Sequence, residues 1–581
     1  MGEDRVGEQL AASMVGTAIA EPALSQLRLE FAWLSLPGGK TLFYEGEVGD
    51  SLYVLVTGAL AITVGNEEGG VDIVARVRPG ETIGEMALIS GEPRSATVTA
   101  QRDSELLRLD KPVFEEMVER FPGAMMPLVW QLVRRLRQTT HREAARAPPR
   151  TIAVLPLSAG VAGAAMARGL AAALTAQGGR IELVDAAAEQ RPTEWFTALE
   201  ARRDLVLYLA DAAPSMWTRL SLRQADRVLL VGQAGIAEDA GVTALLAGPD
   251  AFRQPIDLVV VQPGGGPARC EMSPAMRGLR LGMTCVLRHD HRDDLARLAR
   301  LLTGRAVGLV LSGGGARGFA HIGVIRALRE MKVPIDLIGG CSMGAIIAAG
   351  VAAEWDDSML AANMRQAFVT SSPVNDYALP LLALVRGRKV GARLREHFGE
   401  IDIEALWRPY FCVSSDLASG NVVVHRTGRL WRALRASVAI PGLLPPVIDG
   451  AAVLADGGVM NNLPVDVMRG FKRGPVIGVD VASDRALTSF AGREDMTLWS
   501  FLRSGRRIPP IVDILVRAGT VSSDATSQML RKHVDLLFEP PLEKIEILDW
   551  KGFDRVIEIG YRHAVEKLQG AAGERLRQWA E

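Results

Sequence analysis

The sequence predicts a multidomain chain: an N-terminal β-barrel with flanking helices, a middle α/β domain and a C-terminal α/β domain. Three observations predict it. A length of 581 residues exceeds what one hydrophobic core supports and calls for roughly three or four domains. The first 120 residues alternate apolar and polar side chains between glycine turns, as in "KTLFYEGEVGDSLYVLVTGALAITVGNEEGG". From Thr151 onward, continuous apolar runs alternate with helical stretches, the pattern of parallel strands covered by helices.

The barrel is expected over residues 20–140, its last part the helical pattern "KPVFEEMVERFPGAMMPLVWQLVRRLRQTTHREAARA" that stops at Pro148-Pro149. Residues 141–150 read as a linker. The middle domain, 151–303, carries the runs "TIAVLPL", "DLVLYLAD", "RVLLVG" and "IDLVVVQ". Its "VLPLSAGVAGAAMARG" has the layout of a phosphate-binding loop, but no lysine follows Gly163, so the cradle lacks its main charge. Asp211 and Asp226 could imitate metal-binding acids, and this degenerate P-loop-like domain reads as a structural spacer. The second α/β unit, 304–540, opens with strand, glycine loop, helix, strand, small turn and helix. A helical tail is expected over 541–581.

Composition excludes several classes. Hydrophobic content of 48% with 23% charged residues is that of a folded globular protein. Sixty-six basic against 67 acidic residues leave a net charge of −1, which argues against nucleic-acid binding through bulk charge. The four cysteines, Cys270, Cys285, Cys341 and Cys412, show no CxxC spacing, so neither a zinc site nor a disulfide framework is expected. The N-terminus makes a poor signal peptide, and the apolar stretch near Leu337 to Ala353 is short for a membrane span. The expected location is cytoplasmic, with transient contact at the inner face of a membrane.

Two motifs in the second α/β unit carry chemistry. "LSGGGARG" satisfies the spacing Gly313-x-Gly315-x-x-Gly318 of a dinucleotide fingerprint, which would make the protein a nucleotide-cofactor oxidoreductase. That reading needs an acid at the end of the next strand; Asp336 instead precedes the strand, which ends in Cys341-Ser342. The second motif, Gly340-Cys-Ser342-Met-Gly344, fits G-x-S-x-G, a tight turn that projects a nucleophile ahead of a helix. Consecutive glycines ahead of the preceding helix offer closely spaced N–H groups for an oxyanion. Such a serine needs a base. His425, His533 and His563 lie in unremarkable settings and His321 reads as core packing, whereas Asp456 ends an apolar strand before Gly457-Gly458.

In this order these segments resemble the patatin-like phospholipases, which combine G-G-G-x-R-G, G-x-S-x-G and D-G-G/A. The resemblance implies a Ser–Asp dyad of Ser342 and Asp456 with no histidine and no catalytic cofactor or metal. It implies an oxyanion hole in the loop of Gly313, Gly314, Gly315, Arg317 and Gly318, with Gly314 and Gly315 as donors. Arg317 could equally orient a phosphate head group or brace the loop. "ASVAIPGLLPPV", Ala436 to Val447, resembles the loop that precedes the family's aspartate strand and is expected to be structural. A dry pocket rich in "LLALV" and "IPGLLPPV" side chains would raise the basicity of Asp456.

In the barrel, "IGEMALISGEPRSA" resembles the phosphate-binding cassette of cyclic-nucleotide-binding domains, with Ile83 where that family often has Phe. The resemblance extends to the turn glycines Gly46, Gly49 and Gly58. It implies that Arg94 meets a cyclic phosphate, Glu85 a ribose hydroxyl, and Gly84, Ser95 and Ala96 line the pocket, for cAMP or cGMP. A cyclic-nucleotide-dependent transcription regulator would need a helix-turn-helix after the barrel, and the chain supplies "APPR" and a parallel-sheet pattern instead. The order of modules resembles the neuropathy target esterase group. This implies lipid degradation: hydrolysis of phospholipid or lysophospholipid esters, under cyclic-nucleotide control.

Overall fold

The computed structural model describes residues 31–65, 71–77, 79–120, 149–234, 236–247, 254–262, 270, 276, 278–370, 376, 383–482, 523 and 526–580. Residues 121–148, which hold most of the helix expected after the barrel and most of the linker, lie outside this set. The chain divides into two compact units, one built mainly before Pro263 and the other mainly after Arg300. The expected barrel and most of the expected middle domain therefore share one unit, while Thr284–Arg288 and the residues from Arg300 belong to the other.

The first unit opens with an antiparallel sheet of six strands: β1 (Ala32–Leu36), β2 (Thr41–Phe43), β3 (Ser51–Gly65), β4 (Val71–Val77), β5 (Thr82–Ile83) and β6 (Thr97–Asp110). The main path runs β1-β6-β3-β4, with β2 on β6 and β5 on β3. Alternation in the sequence puts Leu55, Leu60, Val98 and Leu106 into its core. A short helix, α1 (Glu85–Ser90), follows β5.

The middle segment forms a second sheet: β7 (Thr151–Pro156), β8 (Ile181–Val184), β9 (Leu205–Leu209), β10 (Arg227–Gln233), β11 (Ile256–Gln262) and β12 (Leu281–Arg288), in the order β12-β11-β10-β7-β9-β8. The ladders from β11 to β8 are parallel. β7 and β11 are buried along their whole length, which is why they read as unbroken apolar runs. β8 and β12 had no such run and were invisible to that pattern. The barrel meets this segment through a part-buried Arg102–Glu200 ion pair and through Gln254 Nε2, just before β11, which donates to Gln101 O at 2.8 Å.

The second unit is built on an eight-stranded sheet: β13 (Gly308–Leu311), β14 (Leu337–Cys341), β15 (Tyr410–Asp416), β16 (Asn421–His425), β17 (Val447–Asp449), β18 (Ala452–Asp456), β19 (Val476–Val479) and β20 (Leu536–Phe538). Its path is β17-β18-β15-β14-β13-β19-β20, with β16 also on β15. β13, β14, β15, β19 and β20 run parallel, whereas β16 and β18 meet β15 antiparallel. Helix α2 (Ala320–Glu330) follows the glycine loop, α3 (Met343–Ala352) follows β14, and α4 (Arg388–Phe398) lies between β14 and β15 in the chain. Every residue of α3 is buried, so "MGAIIAAGVA" shows no amphipathic stripe.

The tail expected as a separate element over 541–581 belongs to this unit's core. Helix α5 (Phe553–Leu568) crosses α2 at two glycines. A Cβ on Gly323 would lie 2.0 Å from Ile557 O, and one on Gly560 2.2 Å from Ala320 O. Phe553 packs edge-on to Phe319 at 4.6 Å, and Leu568 and Leu576 join the same core. No helix among the described residues is long and apolar enough to cross a membrane.

Candidate active site

The site forms where two strands end against a third. Cys341, the last residue of β14, is in register with Val413 of β15. Asp456, the last residue of β18, is in register with Ser414, the next residue of the same strand. One edge of β15 therefore brings β14 and the antiparallel β18 nearly end to end. Ser342 steps off β14 with φ 52° and ψ −122°, a conformation that a residue with a Cβ holds only when its surroundings enforce it. The flanking glycines are needed for the approach: a Cβ on Gly340 or Gly344 would lie 2.5 or 2.4 Å from Leu311 O. G-x-S-x-G is thus the trace of an elbow pressed against β13.

Ser342 Oγ donates to Asp456 Oδ2 at 2.7 Å. Asp456 Oδ1 accepts the Gly458 N–H at 2.8 Å, and Cys341 Sγ donates to it from 3.7 Å. Burial pushes the Asp456 carboxyl up to about 6, against the opposing hydrogen bonds from Ser342, Gly458 and Cys341. The group is ionised at neutral pH yet more basic than a free aspartate. The backbone is fixed as well: Ser342 N–H donates to Ser437 Oγ at 3.0 Å, and Asp456 N–H to Ala439 O at 2.9 Å.

The glycine loop divides into parts with different work. Gly313 N–H donates to Asn462 O at 3.2 Å, and Asn462 Nδ2 returns a bond to Gly313 O at 3.3 Å. Gly313 is therefore a tie to the aspartate turn. Gly314 and Gly315 have no partner for their N–H groups among the described residues. Gly315 lines a cavity with Ser342. Arg317 is buried and its Nε donates to Ile545 O at 2.7 Å, so of its two readings the brace is the one seen. Gly318 lets α2 approach the elbow, since a Cβ there would lie 2.4 Å from Met343 Cγ. A Cβ on Gly315 would lie 2.4 Å from Ile547 O, so the segment around Ile547 packs directly on this glycine.

Beside Ser342 lies a narrow apolar cavity of about 70 Å³. Met343, Ile346, Val438, Ile440, Leu443 and Leu444 form part of its wall. The "IPGLLPPV" segment supplies the side chains expected of it. Of "LLALV", residues 381 and 382 lie outside the described set, and Ala383 to Val385 are not among the lining residues. Helix α4 contributes Val390, Leu394 and Phe398 instead. Ile547, Leu548 and Trp550 close another side.

No histidine bonds to Ser342 among the described residues. His321 is fully buried, its Nε2 2.9 Å from Ser312 O, and burial pushes it down to about 4. His425 Nε2 pairs with Ser414 Oγ at 2.7 Å, and His563 Nε2 accepts the Glu539 N–H at 3.2 Å. Sequence reasoning missed Ser437, Asn462 and Ile545 to Trp550 as parts of the site. Their roles come from tertiary contacts that no local pattern announces.

In the first unit, Gly84 caps α1 at φ 88°, and a Cβ there would lie 2.5 Å from Arg94 Nη1. Arg94 is buried; Nη1 donates to Gly84 O at 3.0 Å and Nη2 to Ser51 O at 2.9 Å. Its guanidinium stands 4.2 Å over the Phe43 ring and pairs with Asp50 at 3.6 Å. Glu85 is 1% exposed, Ala96 is buried, and Ser95 is exposed with Oγ 3.9 Å from Met86 Sδ. The cassette residues thus stand together, with Arg94 tying the cassette to the start of β3.

Comparison with known proteins places family models on three stretches. Residues 33–121 match the cyclic nucleotide-binding domain, 149–247 the neuropathy target esterase family P-loop like domain, and 309–469 the patatin-like phospholipases. An uncharacterized NTE family protein of Mycobacterium tuberculosis is 32% identical over 554 residues, covering 92% of this chain and 91% of that one. Human patatin-like phospholipase domain-containing protein 6 is 29% identical over 627 residues, covering 95% of this chain and 46% of that one. Lysophospholipase NTE1 of Pyricularia oryzae is 27% identical over 642 residues, covering 94% of this chain and 43% of that one. The chain spans less than half the length of these animal and fungal relatives. With modules of these three kinds in one order, and with that mycobacterial likeness over nearly the whole of both chains, the chain belongs to the neuropathy target esterase family.

Proposed function

We propose that this protein is a serine esterase that hydrolyses fatty-acyl esters of phospholipids or lysophospholipids. The observation that carries the reading is the 2.7 Å hydrogen bond from Ser342 Oγ to Asp456 Oδ2 at the wall of an apolar cavity. In this reading the acyl chain occupies that apolar cavity, with its ester carbonyl against Ser342. Ser342 Oγ attacks the carbonyl carbon while Asp456 takes its proton. The oxyanion is held by the N–H groups of Gly314 and Gly315, each such donor contributing on the order of 3 kcal/mol in comparable sites. Asp456 returns the proton to the leaving alcohol as the acyl group stays on Ser342; it then deprotonates the water that attacks the acyl carbon, and gives that proton back to Ser342 Oγ as the fatty acid leaves.

The name of one relative, a lysophospholipase, supports a glycerophospholipid substrate, and its encounter at a membrane surface from the cytoplasmic side belongs to the proposal. A cyclic nucleotide is the proposed regulatory ligand, held by Arg94 and Glu85 and lined by Gly84, Ser95 and Ala96. What supports it is the match of 33–121 to a cyclic nucleotide-binding domain and the bond of Arg94 to Gly84 O at the helix start that Glu85 opens. The test is fatty-acid release from lysophosphatidylcholine by the wild type and by Ser342→Ala, with folding matched by circular dichroism. Release by the wild type alone supports the reading; equal release from both, or none from either, overturns it.

A further inference from the structure

Residues 437–440 present two faces to two parts of the site. Ser437 and Ala439 serve the dyad, Ser437 Oγ accepting the Ser342 N–H at 3.0 Å and Ala439 O the Asp456 N–H at 2.9 Å. Val438 and Ile440, the intervening and following residues, line the apolar cavity, and Leu443 and Leu444 continue that wall. The segment is held between these faces: Ser437 is 0% exposed and Ala439 1%. Its turn is closed by the Leu443 and Leu444 N–H groups, which donate to Ile440 O at 3.1 and 2.9 Å. Two features make Ser437 more than filler. The Ser342 backbone sits at φ 52°, which persists only where neighbours over-determine it. Its buried N–H has Ser437 Oγ as its acceptor, and a buried donor left without one is costly.

We propose that the segment 437–444 couples filling of the cavity by the acyl chain to the geometry of the dyad, with Ser437 as the positioning residue. The proposal rests on the esterase reading and extends it to acyl-chain selection. A chain long enough to pack on Val438 and Ile440 holds the segment in place. Ser437 Oγ and Ala439 O then fix Ser342 and Asp456 in the attacking arrangement. A short chain leaves that wall unsupported, and its ester binds but is attacked less often. Contact with a remote, non-reacting part of the substrate is thus expressed in turnover, not only in binding.

The experiment is a steady-state series of 4-nitrophenyl esters, butyrate, octanoate, laurate and palmitate, with the wild type, Ser437→Ala and Ser437→Thr. For the wild type, kcat is expected to rise about ten-fold or more with chain length. In Ser437→Ala that rise is expected to flatten, with the loss concentrated on the long esters and the order of KM values kept. Ser437→Thr, which retains the hydroxyl, is expected to restore it. Should Ser437→Ala fail to fold, Val438→Ala trims only the cavity face and must flatten the rise by itself. The proposal is overturned by a wild-type kcat that ignores chain length. It is equally overturned if Ser437→Ala changes nothing or lowers kcat by one common factor on every ester, as a plain brace would. A wild type inactive on all four esters overturns the esterase reading, and this proposal with it.

Discussion

Ser342 and Asp456, 114 residues apart in sequence, meet because their strands end against adjacent residues of β15, Val413 and Ser414. A parallel strand and an antiparallel strand share one edge of β15 and point their ends at each other. The dyad is thereby set by sheet register, and the two hydrogen bonds to Ser437 and Ala439 fix it further. Each side chain should be indispensable for turnover. Ser342→Ala and Asp456→Asn are each expected to lower kcat by about 10³-fold or more on any ester substrate. Substrate affinity, set by the cavity, should change much less, and a KM that moves as far as kcat would contradict this.

The pH profile follows from the burial of Asp456. Its carboxyl, raised to about 6, must be ionised to accept the Ser342 proton, so kcat/KM should climb with pH through about 6 and level off above it. An acid limb near the free-aspartate value would mean that another group governs the reaction.

The same shift has a consequence for stability with a definite sign. The folded-state value lies above the unfolded one, 3.8, so the folded state binds more protons between about 4 and 6. The contribution is full below about 4 and is lost as pH rises through about 6. Asp456→Asn removes this dependence, and at pH 8 it should be at least as stable as the wild type, with a gain on the order of 3 kcal/mol at most. Urea unfolding at pH 4 and pH 8 reads it out. A variant destabilised more at pH 8 than at pH 4 would reverse the sign.

Glycine positions separate packing from flexibility. A Cβ at Gly344 would stand 2.4 Å from Leu311 O, a backbone atom that cannot turn aside. Gly344→Ala is expected to cost at least ~1–3 kcal/mol and to displace the elbow. Gly391, inside α4, would have no neighbour within 4 Å of an added methyl and should instead gain up to about 1 kcal/mol as Gly391→Ala. Thermal melts of the pair decide it, and equal shifts would contradict the assignment of Gly344 to close packing.

In the first unit, Arg94 bonds to Gly84 O and Ser51 O, so its loss should be felt before any ligand is added. Arg94→Ala leaves these carbonyls without their donor and is expected to lower stability by ~1–3 kcal/mol. Cyclic AMP or cyclic GMP should raise the melting temperature of the wild type and not of this variant. Neither nucleotide moving the wild type would contradict the regulatory reading.

The sequence carried the elbow and the aspartate because both need glycines at fixed offsets, and close backbone approach leaves that trace. It carried the parallel strands β7, β9, β10 and β11 because burial on both faces makes unbroken apolar runs. It did not carry the work of the C-terminal segment. Ile545 and Ile547 brace the glycine loop through carbonyl oxygens, which any residue possesses. Nor did it show what Gly313 does, since only the fold shows that its N–H meets Asn462 O. Ser437 was legible as part of a loop, but its bond to Ser342 spans 95 residues.

Covalent labelling with an alkyl fluorophosphonate, read by peptide mass spectrometry, probes the dyad with the fewest intervening steps. One adduct is expected, on Ser342, absent from Ser342→Ala and formed far more slowly in Asp456→Asn. An adduct on a different serine, or labelling of Ser342 at an undiminished rate without Asp456, would contradict the dyad.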